Sequence, residues 1–154
     1  MLKLIIPYQD FNSNDRKESF YFNYTDADIM EMNLKEKGGL EYYLNQIIKA
    51  EDGKQIINFF KEIILNAYGE KSADGRGFIK SKEASNNFAS TNAYSRLMVY
   101  IATDAKAAAN FVNACTSKTM VVIELPSEDN IDIESTDIES TDIKSTDNET
   151  SVEA

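Results

Sequence analysis

The residues whose spacing most resembles a reactive site lie in one string, Ser72-Ala73-Asp74-Gly75-Arg76-Gly77-Phe78-Ile79-Lys80-Ser81-Lys82-Glu83. It follows a helical pattern and carries Gly sixth, Ile eighth and Glu last, the register of a twelve-residue EF-hand calcium loop. The ligands do not follow the register. Ser72, Arg76 and Lys80 stand first, fifth and ninth, leaving Asp74, the Phe78 carbonyl and Glu83 beside two added positive charges. Such a set repels a hard dication, so the string reads as a glycine-permitted turn between two helices. Lys80 and Lys82 flank Ser81, but no Gly-rich phosphate loop ending in Lys-Ser or Lys-Thr is present, so they read as solvated lysines.

Elsewhere the chemistry is sparser. Asp26, Asp28 and Glu31 could form a carboxylate group for hydrolysis, yet at the start of a helix they are explained by the macrodipole and by capping. Histidine is absent and Cys115 is the single cysteine, which excludes Cys/His zinc sites and imidazole catalysis within one chain. Cys115 lies among Ala and Val on a helical pattern and reads as a buried structural thiol suited to a reducing compartment. No catalytic residue, metal or cofactor is expected.

The elements that position these residues follow from periodicity. Leu2, Leu4 and Ile6, then Phe20, Phe22 and Tyr24, alternate on either side of a polar stretch, which predicts a hairpin. Thr25-Asp26-Ala27-Asp28 has the form of a capping box, opening a helix over about residues 26–36. After Gly38-Gly39, Leu40, Tyr43, Leu44, Ile47 and Ile48 recur at helical spacing and predict a second helix, ending at Asp52-Gly53. A third, over about residues 54–68, has an apolar stripe broad enough for a central helix. A polar connector, a short segment near residues 82–89, a fourth helix through Tyr94, Leu97, Met98 and Ile101, and a fifth capped by Asp104 complete the pattern. The alanines of that last helix would let a neighbour approach closely. Val121-Val122-Ile123-Glu124-Leu125-Pro126 is β-prone and either adds a strand or anchors the C-terminal tail. The expected fold is mainly α: about five helices with a small N-terminal β-hairpin and a disordered acidic C-terminal tail.

Charge divides the chain in two. Residues 1–126 carry 16 acids and 15 bases, a net of −1, whereas residues 127–154 carry 10 acids against Lys144, a net of −9. The tail repeats Ile133-Glu134-Ser135-Thr136-Asp137 twice more with one charge change, at Lys144. One Ile in five buries too little to offset an ordering cost of about 1–2 kcal/mol per residue. Residues 1–126 are therefore expected to form one domain and residues 127–154 a disordered appendage. A nearly neutral body has no basic footprint for nucleic acid, and no run of about 18 apolar residues predicts a membrane helix. The expectation is an intracellular domain that works by binding another protein.

Several strings together resemble the tail assembly chaperones of long-tailed bacteriophages and prophages. They are Phe20-Tyr21-Phe22-Asn23, Ala50-Glu51-Asp52-Gly53-Lys54-Gln55-Ile56-Ile57-Asn58-Phe59-Phe60-Lys61 and, most specific, Ala67-Tyr68-Gly69-Glu70-Lys71-Ser72-Ala73-Asp74-Gly75-Arg76-Gly77-Phe78-Ile79-Lys80-Ser81. Thr91-Asn92-Ala93-Tyr94-Ser95 and Ala107-Ala108-Ala109-Asn110-Phe111-Val112-Asn113 continue the order, so the resemblance spans about residues 18–115 and leaves the pentads outside. It implies a protein of the bacterial host cytoplasm that coats the tape measure protein, keeps it soluble, helps recruit tail tube subunits and is absent from the mature virion. It also implies a short product of a gene whose longer form arises by programmed frameshifting. Self-association is a further expectation, and a minor tail or head–tail joining protein is the alternative. The residues expected to touch a partner are Tyr68, Gly69, Ser72, Asp74, Gly75, Phe78 and Lys80, because a loop between helices is exposed and adaptable.

The ligand set of residues 72–83 makes one outcome definite. Titration calorimetry with calcium gives no saturable heat, and a one-to-one isotherm would restore the ion-binding reading.

Overall fold

The alternating N-terminus forms its hairpin in the computed structural model, which describes residues 1–35 and 37–127. β1 (Leu2–Gln9) pairs antiparallel with β2 (Asp15–Phe22), with Leu2 opposite Phe22 and Gln9 opposite Asp15. Asp10 organises the turn: its carboxylate accepts from the amides of Asn12 at 2.9 Å and Asn14 at 3.0 Å and from Arg16 Nε at 2.8 Å. Those donors, the Asn14 amide foremost, hold this carboxyl down at about 2.

Helices α1 (Asp26–Lys35), α2 (Gly39–Lys49) and α3 (Gly53–Ala67) come after the hairpin. Thr25 and Asp28 form the expected capping box, the Thr25 amide donating to Asp28 at 2.7 Å and the Asp28 amide to the Thr25 hydroxyl at 3.1 Å. Gly38 and Gly39, at φ +91° and +83°, turn the chain between α1 and α2. Asp52 begins α3 rather than closing α2, accepting from the Lys54 and Gln55 amides.

Two short strands come next, β3 (Tyr68–Lys71) and β4 (Phe78–Ile79), then α4 (Lys82–Ala89), α5 (Asn92–Thr103), α6 (Ala105–Thr116) and β5 (Val121–Glu124). Asp104 caps α6 as its position predicts, accepting from the Lys106 amide at 2.8 Å. The strands form one sheet of order β4-β3-β2-β1-β5, antiparallel except where β5 lies parallel to β1.

This sheet corrects the mainly α expectation. The fold is mixed α/β: a five-stranded mixed sheet with helices packed on it, not a helical bundle carrying a small hairpin. The supposed connector between helices contains the β3–β4 hairpin, and the β-prone C-terminal run is a full strand. The expected disordered tail lies, from residue 128 onward, outside the described residues.

Strand alternation decides which face is buried. Leu2, Leu4, Ile6 and Phe22 turn inward and are at most 2 % exposed. Above them pack Phe88 of α4, Leu97 and Ile101 of α5, and Phe111 and Cys115 of α6. Phe88 is the aromatic hub, stacked on Tyr68 with centroids 4.5 Å apart and meeting Phe20, Phe22 and Tyr94 at 5.0–5.7 Å.

Replacing Phe88 by Ala removes all of these contacts and leaves a cavity, so the cost is about 3–5 kcal/mol. Phe11 is 79 % exposed in the hairpin turn, and its replacement by Ala changes stability by under about 0.5 kcal/mol. Urea denaturation of the two variants measures the contrast, and equal losses would contradict this core.

Candidate functional site

The seven residues singled out by the sequence do not form one surface. Tyr68 is stacked against Phe88 at the core margin. Gly69 is buried because the Phe78 ring occupies the space of a side chain: a Cβ there would meet Phe78 at 2.5 Å and the Ile79 carbonyl at 2.8 Å. Ser72, Asp74 and Gly75 make the hairpin turn. The Ser72 hydroxyl donates to Asp74 at 2.6 Å and accepts from the Gly77 amide at 2.8 Å, while Asp74 accepts from the Arg76 amide at 3.1 Å. These bonds, the one from Ser72 first, hold the Asp74 carboxyl below the usual carboxylate range. The Ser72 hydroxyl and one Asp74 oxygen are thus engaged within the turn itself.

Lys80 points away from the hairpin tip. Its ammonium donates to Asp28 at 2.8 Å and lies 5.0 Å from the centre of the Tyr24 ring. It thereby ties the start of α1 to the segment between β4 and α4. Burial alone would raise the Asp28 carboxyl, but hydrogen bonds from Lys80 and Thr25 together outweigh it and hold the carboxyl below its usual range.

Tyr24 is the joint beneath this pair. Its amide donates to the Cys115 carbonyl at 2.9 Å and its hydroxyl to the Ile63 carbonyl at 2.7 Å, so one residue binds the end of β2 to both α3 and α6. Burial pushes its phenol well above the ordinary tyrosine range. Burial likewise pushes the Cys115 thiol up to about 12, which keeps it protonated and unreactive.

Over Tyr24 opens an apolar groove of about 620 Å³. Ile29 and Met32 of α1 form one wall, Phe59, Phe60 and Ile63 of α3 the base, and Ala105, Ala108, Ala109 and Val112 of α6 the other wall. Asn33, Asn113 and Thr116 give it a polar rim. Among the described residues no buried side-chain nitrogen or oxygen lacks a partner, and no group of three or more acids and cysteines is placed to hold a metal ion. The groove therefore offers area and shape to a ligand. Its small-residue wall was legible as alanines that admit a close neighbour. The opposition of α1 and α3 to that wall was not, because it is set by contacts far apart in sequence.

A family model described as phage tail assembly chaperone matches residues 1–150, an extent that includes most of the acidic segment. The chain has no significant match among curated proteins or among solved structures.

Lys80 and Asp28 are 26 % and 34 % exposed, so their ion pair contributes under about 1 kcal/mol. The Asp28 carboxyl is lower in the fold than in the unfolded chain. Its contribution is therefore complete above the unfolded value of 3.8 and is lost as pH falls through the lower folded value. In a Lys80→Met variant, NMR titration finds the Asp28 carboxyl at higher pH than in the parent chain. An unchanged midpoint would show that the pair does not form in solution.

Proposed function

The chain belongs to the phage tail assembly chaperone family, and from that premise we propose that it binds the tape measure protein during tail assembly. It holds apolar helical segments of that client in the groove between α1, α3 and α6, keeps them from aggregating and helps recruit tail tube subunits. It acts in the cytoplasm of the bacterial host and leaves before the virion matures.

The observation that carries this reading is the groove itself: an apolar trough with one wall of alanines, open to solvent. An amphipathic helix laid in such a trough buries anchors at i, i+3, i+4 and i+7. Each well-buried Leu or Phe contributes about 1.5–3 kcal/mol. Three or four anchors then roughly match the 4–15 kcal/mol that association costs in lost freedom. Binding by one copy is accordingly weak and reversible, and many copies along one client supply the protection. The α1 wall has no buried residue and leaves Met30 and Leu34 exposed, so it yields more readily than α3 or α6. Of the hairpin residues, Asp74 and Gly75 sit exposed at the tip and remain the proposed second contact with a tail protein.

Co-expression tests this directly. With the parent chain present, the tape measure protein moves into the soluble fraction. Ala109→Arg places a long cation in the groove from an exposed position and returns the client to the pellet, while Ala102→Arg on exposed α5 surface leaves it soluble. Insolubility with the parent chain, or an Ala109→Arg variant that protects as well, would contradict the proposal. Mass spectrometry of purified virions finds no copies of the chain, whereas stoichiometric copies would mark a structural tail protein.

A further inference from the structure

The sheet ends at β5 in an edge that the fold leaves open. The Val121 amide donates to the Met1 carbonyl at 3.0 Å and the Leu125 amide to the Ile5 carbonyl at 2.9 Å. Alternation then turns the amides and carbonyls of Val122 and Glu124 away from β1, and among the described residues nothing pairs with them. Open edges are ordinarily guarded by lysine, proline, a bulge or an inward-pointing charge. β5 carries none of these, and its one charged residue, Glu124, is neutralised by Lys17 at 2.6 Å. Val122 is 57 % exposed and Met120, just before the strand, 47 %. The edge at the other end of the sheet, β4, is only two residues long.

We propose that this edge pairs with β5 of a second copy of the chain, antiparallel about a two-fold axis at Val122. Charge selects the register. An axis at Glu124 would set two carboxylates face to face, and one at Ile123 would leave them two positions apart. With the axis at Val122 they stand four positions, about 13 Å, apart along the strands, beyond the screening length of about 8 Å at physiological salt. An axis nearer the start of β5 would draw on residues outside the strand. The same register brings the two exposed Val122 side chains together, with Met120 of each copy two positions away. Antiparallel pairing of this kind keeps the same face upward in both copies, so two five-stranded sheets become one and both helical layers lie on one side of it. For the function proposed above, two troughs then meet a client from the same side, although the pairing itself does not depend on that reading. A four-residue edge buries far less than the roughly 1,200–2,000 Å² of a stable interface, so the dimer is weak and concentration-dependent. Each copy carries a net charge of −10, whereas the contact is made by backbone and apolar groups. Association therefore tightens as salt shortens the screening length to about 3 Å at 1 M.

Sedimentation equilibrium of the full-length chain tests the pairing. From micromolar to millimolar concentration the apparent mass climbs from 17.4 kDa toward twice that value, and climbs further in 1 M sodium chloride. Val122→Lys, at an exposed position, sets two cations at the axis and weakens association about tenfold or more. Val122→Pro removes an outward amide that β1 does not use and has the same effect. In Val122→Cys, mild oxidation links two copies, since the facing Cα atoms lie about 5.5 Å apart in this register. Ile57→Cys, exposed on α3, stays monomeric under the same oxidation, and Cys115 is fully buried and does not take part. A monomer at every concentration, a Val122→Lys variant that associates as tightly as the parent, or association that salt weakens would overturn the proposal. Association that Ala109→Arg abolishes and Val122→Lys leaves intact would place the contact in the trough and overturn it equally. No client is present in these experiments, so their failure leaves the tape measure reading standing.

Discussion

The structure depends on burying one face of a single strand. Leu2, Leu4 and Ile6 of β1 are driven inward under α5 and α6, and strand alternation then sends Lys3, Ile5 and Pro7 to the other side. Among the described residues, β1 is also the strand with extended pairing on both edges: β2 binds one edge antiparallel and β5 the other parallel. The N-terminal amine completes the seam by donating to the carbonyls of Ser117 and Thr119. The two ends of the described body are thus held together. The position of α6 is set by the same seam, because it enters β5 with only a short link between them.

From that seam the groove is a geometric consequence. Tyr24, the first residue past β2 and its following Asn23, is pinned to α3 and α6 by two hydrogen bonds and fixes how far apart those helices stand. Small side chains on α6 then fail to fill the space that Phe59, Phe60 and Ile63 of α3 leave open. A larger residue at the Ala105, Ala108 and Ala109 positions would close it into ordinary core. The price of the open trough is apolar area exposed on the free chain.

The helices were largely legible because their signals are local. The capping box at Thr25 and Asp28, the cap at Asp104 and the apolar stripe of α3 all act within a few residues, and the corresponding ends agree within one or two positions. The sheet beyond its N-terminal hairpin was not, for a definite reason. Tyr68-Gly69-Glu70-Lys71 and Phe78-Ile79 are too short and too polar for alternation to register, and Gly69 resembles a helix stop when its real constraint is the Phe78 ring. β5 is strand-prone, but its pairing with a strand more than a hundred residues earlier leaves no trace in local pattern. The same limit applies to the site. Lys80 reads as a solvated lysine until the fold brings Asp28 and Tyr24 to it, and the alanines of α6 acquire a meaning only when α3 and α1 stand opposite them.

The central claim is that this family member works through the α1–α3–α6 trough. Hydrogen exchange of the chain alone and in complex with a soluble tape measure fragment addresses it most directly. The account predicts slowed exchange in peptides from α1, α3 and α6, with the outer face of the sheet unchanged. Protection confined to β1, β2 and β5, with those helices exchanging as in the free chain, would contradict it.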